Sequence, residues 1–67
     1  MATTDRELQM DRLRRISALH SKLMDEFPTA RETELAIIYP GMHRERRVRI
    51  VAQERVDREI VIEGSRQ

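Results

Sequence analysis

Apolar side chains recur at helical spacing in the first part of the chain, between Thr4 and Phe27. At about 100° per residue they fall on one face, with His20 near its middle: Leu13, Ile16, Leu19, Leu23, Met24 and Phe27. Thr4 and Glu7 have the spacing of a capping box, and Pro28 disfavours helical geometry at Phe27. The pattern predicts one amphipathic helix over residues 4–27.

The apolar stripe of this helix covers only residues 13–27. Upstream, the same face carries Asp5, Gln9 and Arg12, while Leu8 and Met10 lie on its opposite flanks. Residues 4–12 are therefore predicted to project beyond the core. Such an overhang is a candidate contact for a protein partner through Leu8 and Met10; a solvated helix end is the plainer alternative.

Three later stretches favour strands. Residues 34–39 form a β-rich run before the turn-forming Pro40-Gly41, residues 46–52 begin by alternating arginine with apolar residues, and residues 58–63 are rich in β-branched side chains. Paired as a meander, these strands place one set of residues against the helix: Leu35, Ile37, Tyr39, Val48, Ile50, Ala52, Ile60 and Ile62. The prediction is a single small α+β domain over residues 1–67. In it, one N-terminal helix packs on a three-stranded antiparallel sheet (αβββ), and residues 64–67 form a frayed tail.

A resemblance suggests a different structure for the last stretch. Arg14-Arg-Ile, the Phe27-Pro28 step and the Leu-Ala-Ile-Ile-Tyr run resemble the helix, Phe-Pro break and strand of the DinI-like SOS-response inhibitors, over residues 13–51. That family also has a strand before the helix, which nothing before residue 4 matches, so we do not assign the chain to it. Its acidic helix after the sheet implies a rival structure for residues 54–63, a helix with Val56 and Ile60 at i, i+4.

The second face of the predicted sheet is a candidate protein interface. Ile38, Val51 and Val61 would lie there as an apolar surface, with Arg47 and Arg49 at its rim. A single helix cannot cover both faces of a sheet, so we expect a second copy of the chain or a larger protein to cover this one. Scattered apolar residues on a solvated face are the alternative.

Length and composition favour stabilisation of the chain by a second subunit. A domain of 67 residues has a marginal core and usually gains stability from disulfides, a metal or oligomerisation. Cysteine is absent, which excludes disulfides and thiolate ligands. No apolar run has the length of a membrane span, and the first residues lack the features of a signal peptide. We therefore expect a soluble, cytoplasmic protein that does not bind membranes.

The sequence offers little for catalysis. His20 lies on the apolar helix face and His43 in the predicted hairpin turn, and neither belongs to a cluster with the spacing of a metal site. With two glycines, the chain has no Gly-rich phosphate loop. We expect no catalytic residues, cofactor, metal or small-molecule substrate.

The densest basic segment supports an alternative function. Arg44, Arg46, Arg47 and Arg49 on a β-ribbon could follow the phosphates of a nucleic acid. The thirteen basic residues are, however, nearly balanced by twelve acidic ones, and one Tyr and one Phe leave few rings for base stacking.

The leading hypothesis is thus a small non-enzymatic protein-interaction module, dimeric or stabilised by a partner. Small cysteine-free chains suit accessory or inhibitor roles, including those encoded by phages and other mobile elements, an analogy that rests on size alone. Nucleic-acid binding is the alternative.

Overall fold

Residues 5–65 are described by the structure, a computed structural model, and they form three helices. Helix α1 spans Asp5–Glu26, α2 spans Thr29–Ile38 and α3 spans Arg44–Ser65. The described residues contain no strand. The prediction of an α+β domain with a three-stranded sheet is therefore wrong, and the molecule is a helical bundle.

All three predicted strands lie in helices. Residues 34–38 belong to α2, and the stretches 46–52 and 58–63 both belong to α3, as do Gly64 and Ser65 of the predicted tail. Val51 and Ala52 are neighbours and both are buried, which a strand with only one covered face cannot achieve because its successive side chains point to opposite faces. The rival interpretation of residues 54–63 as helical describes them correctly.

The absence of a chain-breaking residue explains why α3 is continuous. The predicted turn at residues 53–57 contains neither glycine nor proline, and neither occurs between Gly41 and Gly64. The buried residues Val48, Val51, Ala52 and Val56 instead follow the i, i+3, i+4, i+8 spacing of a helix face. Burial of this face outweighs the small strand preference of its β-branched residues.

Two short connections set the order of the helices. The Phe27 amide donates to the Leu23 carbonyl at 2.7 Å, and the Phe27 side chain turns into the core. Pro28 then precedes α2, its carbonyl accepting from the Arg31 and Glu32 amides at 3.1 Å. Gly41 takes a positive φ of 80° in the second connection, a conformation that L residues rarely adopt. The predicted cap residue Thr4 lies outside the described residues.

Helix α3 is the central element, because it packs against both others. It runs antiparallel to α1: Arg44 at its start contacts Met24 near the end of α1, whereas Asp57 contacts Arg12 near the beginning of α1. Helix α2 lies against the first half of α3. The buried core between the helices consists of Ile16, Leu23, Phe27, Leu35, Val48, Val51, Ala52 and Val56.

Helix α2 is too short to cover the whole α1–α3 pair. Its 10 residues rise about 15 Å, whereas the 22 residues of α1 or α3 rise about 33 Å. One half of the molecule is therefore a three-helix bundle and the other half is a pair of helices. We call this second half the open end: residues 5–15 of α1 and residues 55–65 of α3.

Candidate protein-interaction site

Ion pairs join the two helices at the open end. The Nε and Nη2 atoms of Arg12 donate to the two carboxylate oxygens of Asp57 at 2.5 and 3.0 Å. Arg15 Nη2 donates to the carboxylate of Glu63 at 3.0 Å, and Arg15 Nε lies 3.4 Å from Asp11 Oδ2. The contact between α1 and α3 here is thus strongly polar.

The hydrogen bond from Arg12 lowers the pKa of the Asp57 carboxyl from its ordinary value. The positive charge of Arg12 acts in the same direction, while partial desolvation opposes both. On the other side of each pair, hydrogen bonding raises the pKa of Arg12 and of Arg15. Pairing therefore favours the charged forms of Arg12, Arg15 and Asp57.

Most of the large apolar side chains of the open end are exposed. Five large ones have exposed fractions between 45% and 66%: Leu8, Met10, Leu13, Val61 and Ile62. A two-helix element usually buries its apolar residues between the helices and exposes its charges. At the open end this arrangement is inverted except at Val56 and Ile60, which face the core: charged groups bridge the helices and the other large apolar groups face the solvent.

A groove between α1 and α3 adjoins the open end. Its volume is about 320 Å³, and its lining comprises Arg15, Ala18, Leu19, Lys22, Val56 and Glu59. The wall of this groove is apolar at Leu19 and Val56 and charged at its edges. The groove extends the exposed apolar surface of the open end toward the middle of the molecule.

The structure separates the residues predicted for a sheet-face interface. Val51 is 5% exposed and belongs to the core, so it is not part of the surface. Ile38 is exposed at the end of α2, in the three-helix half, whereas Val61 is exposed at the open end. Of the predicted contacts, Leu8, Met10 and Val61 all belong to the open end and are exposed.

Two open-end residues were assigned to the core from the sequence. Leu13 was placed on the apolar face of α1, and Ile62 on the inner face of the predicted sheet. They are 45% and 49% exposed. The polar residues Asp5, Gln9 and Arg12 were the only sequence signal for this exposure, because they indicate that the inner face of α1 is not apolar in its first two turns.

The four arginines predicted to follow phosphates have different environments. Arg44 donates to the Met24 carbonyl at 3.1 Å, and Arg47 donates to Glu32 Oε1 at 2.9 Å and to the Tyr39 carbonyl at 3.2 Å. Arg46 and Arg49 are exposed and both line two shallow cavities of about 340 and 260 Å³. These four residues do not form one continuous cationic surface.

Both histidines occupy structural or exposed positions. His20 is half-buried, with Nε2 3.0 Å from the Glu45 carbonyl oxygen, so it joins α1 to the start of α3. His43 is exposed just before α3. Within residues 5–65, no group of three or more His, Asp or Glu residues is arranged to hold a metal ion.

Comparison of the chain with protein-family models, with curated proteins and with solved structures finds no match. Among the described helices, none has both the length and the apolar character needed to cross a bilayer.

Proposed function

We propose that the protein is a small non-enzymatic interaction module of the cytoplasm that binds another protein surface through the open end. The observation that carries this proposal is the inverted arrangement there. Five half-exposed apolar side chains lie on a helix pair that ion pairs bridge. Single exposed apolar residues are ordinary, but a cluster of them in one short segment is typical of a contact site.

The ion pairs support this role by fixing the surface before a partner arrives. Each ion pair consists of two hydrogen bonds, one pair joining Arg12 to Asp57 and the other joining Arg15 to Glu63. Together they hold α1 and α3 at a set distance. A surface that is already ordered loses less conformational entropy on binding. Burial of the exposed apolar groups then contributes about 25 cal/mol for each Å² removed from water.

Occupying a partner's surface is how accessory and inhibitor proteins act, so the open end suits such a role.

Site-specific photo-crosslinking in cells tests the proposal. A photoreactive residue at position 13 or 62 is expected to give a discrete covalent protein adduct. The same residue at Glu54, an exposed position of α3 outside the apolar cluster, is the matched control and is expected to give none. Absence of adducts at positions 13 and 62, or equal adducts at all three, would contradict the proposal.

Nucleic-acid binding is a second candidate, favoured by one observation. Arg46 and Arg49 lie one helical turn apart, and no ion pair to either is found among the described residues, whereas Arg12, Arg15, Arg31 and Arg47 are all paired. Gel retardation of DNA and RNA at low salt tests nucleic-acid binding by these two arginines. Binding by phosphate contacts would weaken steeply as salt rises and would be lost in a double variant, Arg46→Gln with Arg49→Gln. An Arg6→Gln, Arg14→Gln variant is the control of equal charge. No retardation of DNA or RNA at low salt would exclude this candidate.

A further inference from the structure

The molecule is more extended than a compact chain of its length. Its radius of gyration is 14.0 Å and its extents are 44 × 20 × 20 Å, whereas a compact domain of 67 residues has a radius of gyration of about 11 Å. Its accessible surface is 5536 Å², against about 4,450 Å² expected for a folded monomer of 8.0 kDa. The chain therefore exposes roughly 1,100 Å² more than a compact monomer of its size.

The short α2 contributes to this shape. In the three-helix half, Leu35 of α2 shares one buried core with Val48 and Val51 of α3. At the open end no helix takes the corresponding position, and Val61 and Ile62 remain exposed. Two helices alone cannot enclose a core, but two pairs of helices can, as in a four-helix bundle.

We propose that the missing helices are supplied by a second copy of the chain. This inference rests on the proposed function and names its partner. Two protomers pack open end against open end about a twofold axis, so that α1 and α3 of each protomer form a central four-helix bundle. The two α2 helices then lie at opposite ends of the dimer.

The area involved matches what a stable dimer needs. A standard protein–protein interface removes about 800 Å² of accessible surface from each partner. The excess surface of this chain, roughly 1,100 Å², is of the same size. The apolar groups available for burial are the exposed ones of the open end, and the half-buried Leu19 on the groove wall extends them.

The charges of the open end also favour a second copy over a strongly charged partner. Residues 5–15 and 55–65 together contain six acidic and six basic side chains, so their net charge is zero. Two identical ends therefore approach each other without net repulsion. On α3, Arg58 and Glu59 are adjacent and exposed. A twofold contact could pair Arg58 of one protomer with Glu59 of the other.

Light scattering coupled to size exclusion tests this inference on the purified chain. A particle of about twice 8.0 kDa is expected at high micromolar concentration, dissociating on dilution. Leu13→Glu and Ile62→Glu are each expected to shift the protein to the monomer. Ile37→Glu, at the most exposed large apolar residue of the three-helix half, is the matched control and is expected to leave the dimer intact. Circular dichroism of each variant shows whether the helices remain folded.

An engineered cysteine locates the interface independently, because the chain has no other thiol. Val61→Cys is expected to form a disulfide-linked dimer under mild oxidation faster than Ile37→Cys. A monomer at every concentration, or a dimer broken by Ile37→Glu and not by Ile62→Glu, would overturn the inference. If the purified chain is monomeric but position 62 captures a larger protein in cells, the second copy is excluded and the interaction module stands.

Discussion

At the scale of single residues, Arg47 differs most from its predicted role. The sequence placed it at the rim of an interface, but it lies between α2 and α3. Its side chain is 15% exposed and that of its partner Glu32 is 19% exposed. Arg47 also donates to the Tyr39 carbonyl, one of the carbonyl groups that the end of α2 leaves without a helical partner. One guanidinium thus fixes both the position and the last turn of α2.

Arg47→Met is expected to lower the free energy of unfolding by about 1–3 kcal/mol, because Glu32 would keep a largely buried carboxylate without its donor. Glu32 Oε2 already has no hydrogen-bond partner, so it cannot compensate. Urea denaturation measures the loss. The neighbouring Arg46→Met, at an exposed position, is the control and should change stability by less than about 0.5 kcal/mol. Equal losses in the two variants would contradict the role given to Arg47.

Asp57 makes the stability of the open end depend on pH. Its pKa is lower in the folded chain than the ordinary value of 3.8, so its contribution is complete above that value and is lost as pH falls through the lowered pKa. Denaturation from neutral pH to below 3.8 is expected to show a steeper acid loss in the wild type than in Asp57→Asn. Glu54→Gln, at an exposed position of α3 outside the pair, is the control for removal of a carboxylate. An unchanged slope in Asp57→Asn would contradict the pairing with Arg12.

At the scale of elements, the sequence predicts α1 far better than α3. The apolar residues of α1 recur along one face because α1 packs on a single neighbour. Helix α3 packs on two neighbours, so its buried residues spread over a wide arc and its periodicity is weak. The alternation at residues 46–50 then resembled a strand, and only the lack of glycine or proline after it argued otherwise.

The candidate site was also predictable only in part, because the exposure of some of its residues depends on how the helices pack. Leu8 and Met10 followed from α1 alone, because they flank a polar inner face. Leu13 and Ile62 could not be recognised as exposed, since their exposure depends on where α2 ends. That position is set by Tyr39-Pro40-Gly41, and its consequence for α3 is visible only once the helices are packed.

The two glycines provide matched tests of the helix ends. Gly41 has a φ of 80°, so Gly41→Ala is expected to lower the free energy of unfolding by about 1–2 kcal/mol. Gly64 lies in the last turn of α3, where Gly64→Ala is expected to raise it by up to about 1 kcal/mol. A Cβ atom would contact nothing within 4 Å at either position, so both effects belong to the backbone. Thermal denaturation compares them, and changes of the same sign would contradict these conformations.

At the scale of the whole molecule, stability is expected to be uneven. The three-helix half contains most of the core, whereas the open end is joined largely by exposed ion pairs that salt screens. In dilute protein, amides of residues 9–12 and 60–63 should exchange with solvent faster than those of residues 51–56, and added salt should widen the difference. Hydrogen exchange with mass spectrometry measures this. Uniform exchange along α3 would contradict it.

The antiparallel order of α1 and α3 has a practical consequence for fusion proteins. Helix α1 begins and α3 ends at the open end, so a reporter joined to either terminus is attached beside the exposed apolar surface. The connection at residues 39–43 lies at the other end of the molecule, next to α2. A two-hybrid or fluorescence assay built on terminal fusions would obstruct the contact it is meant to detect, whereas a tag inserted at Gly41-Met42 would leave the open end accessible.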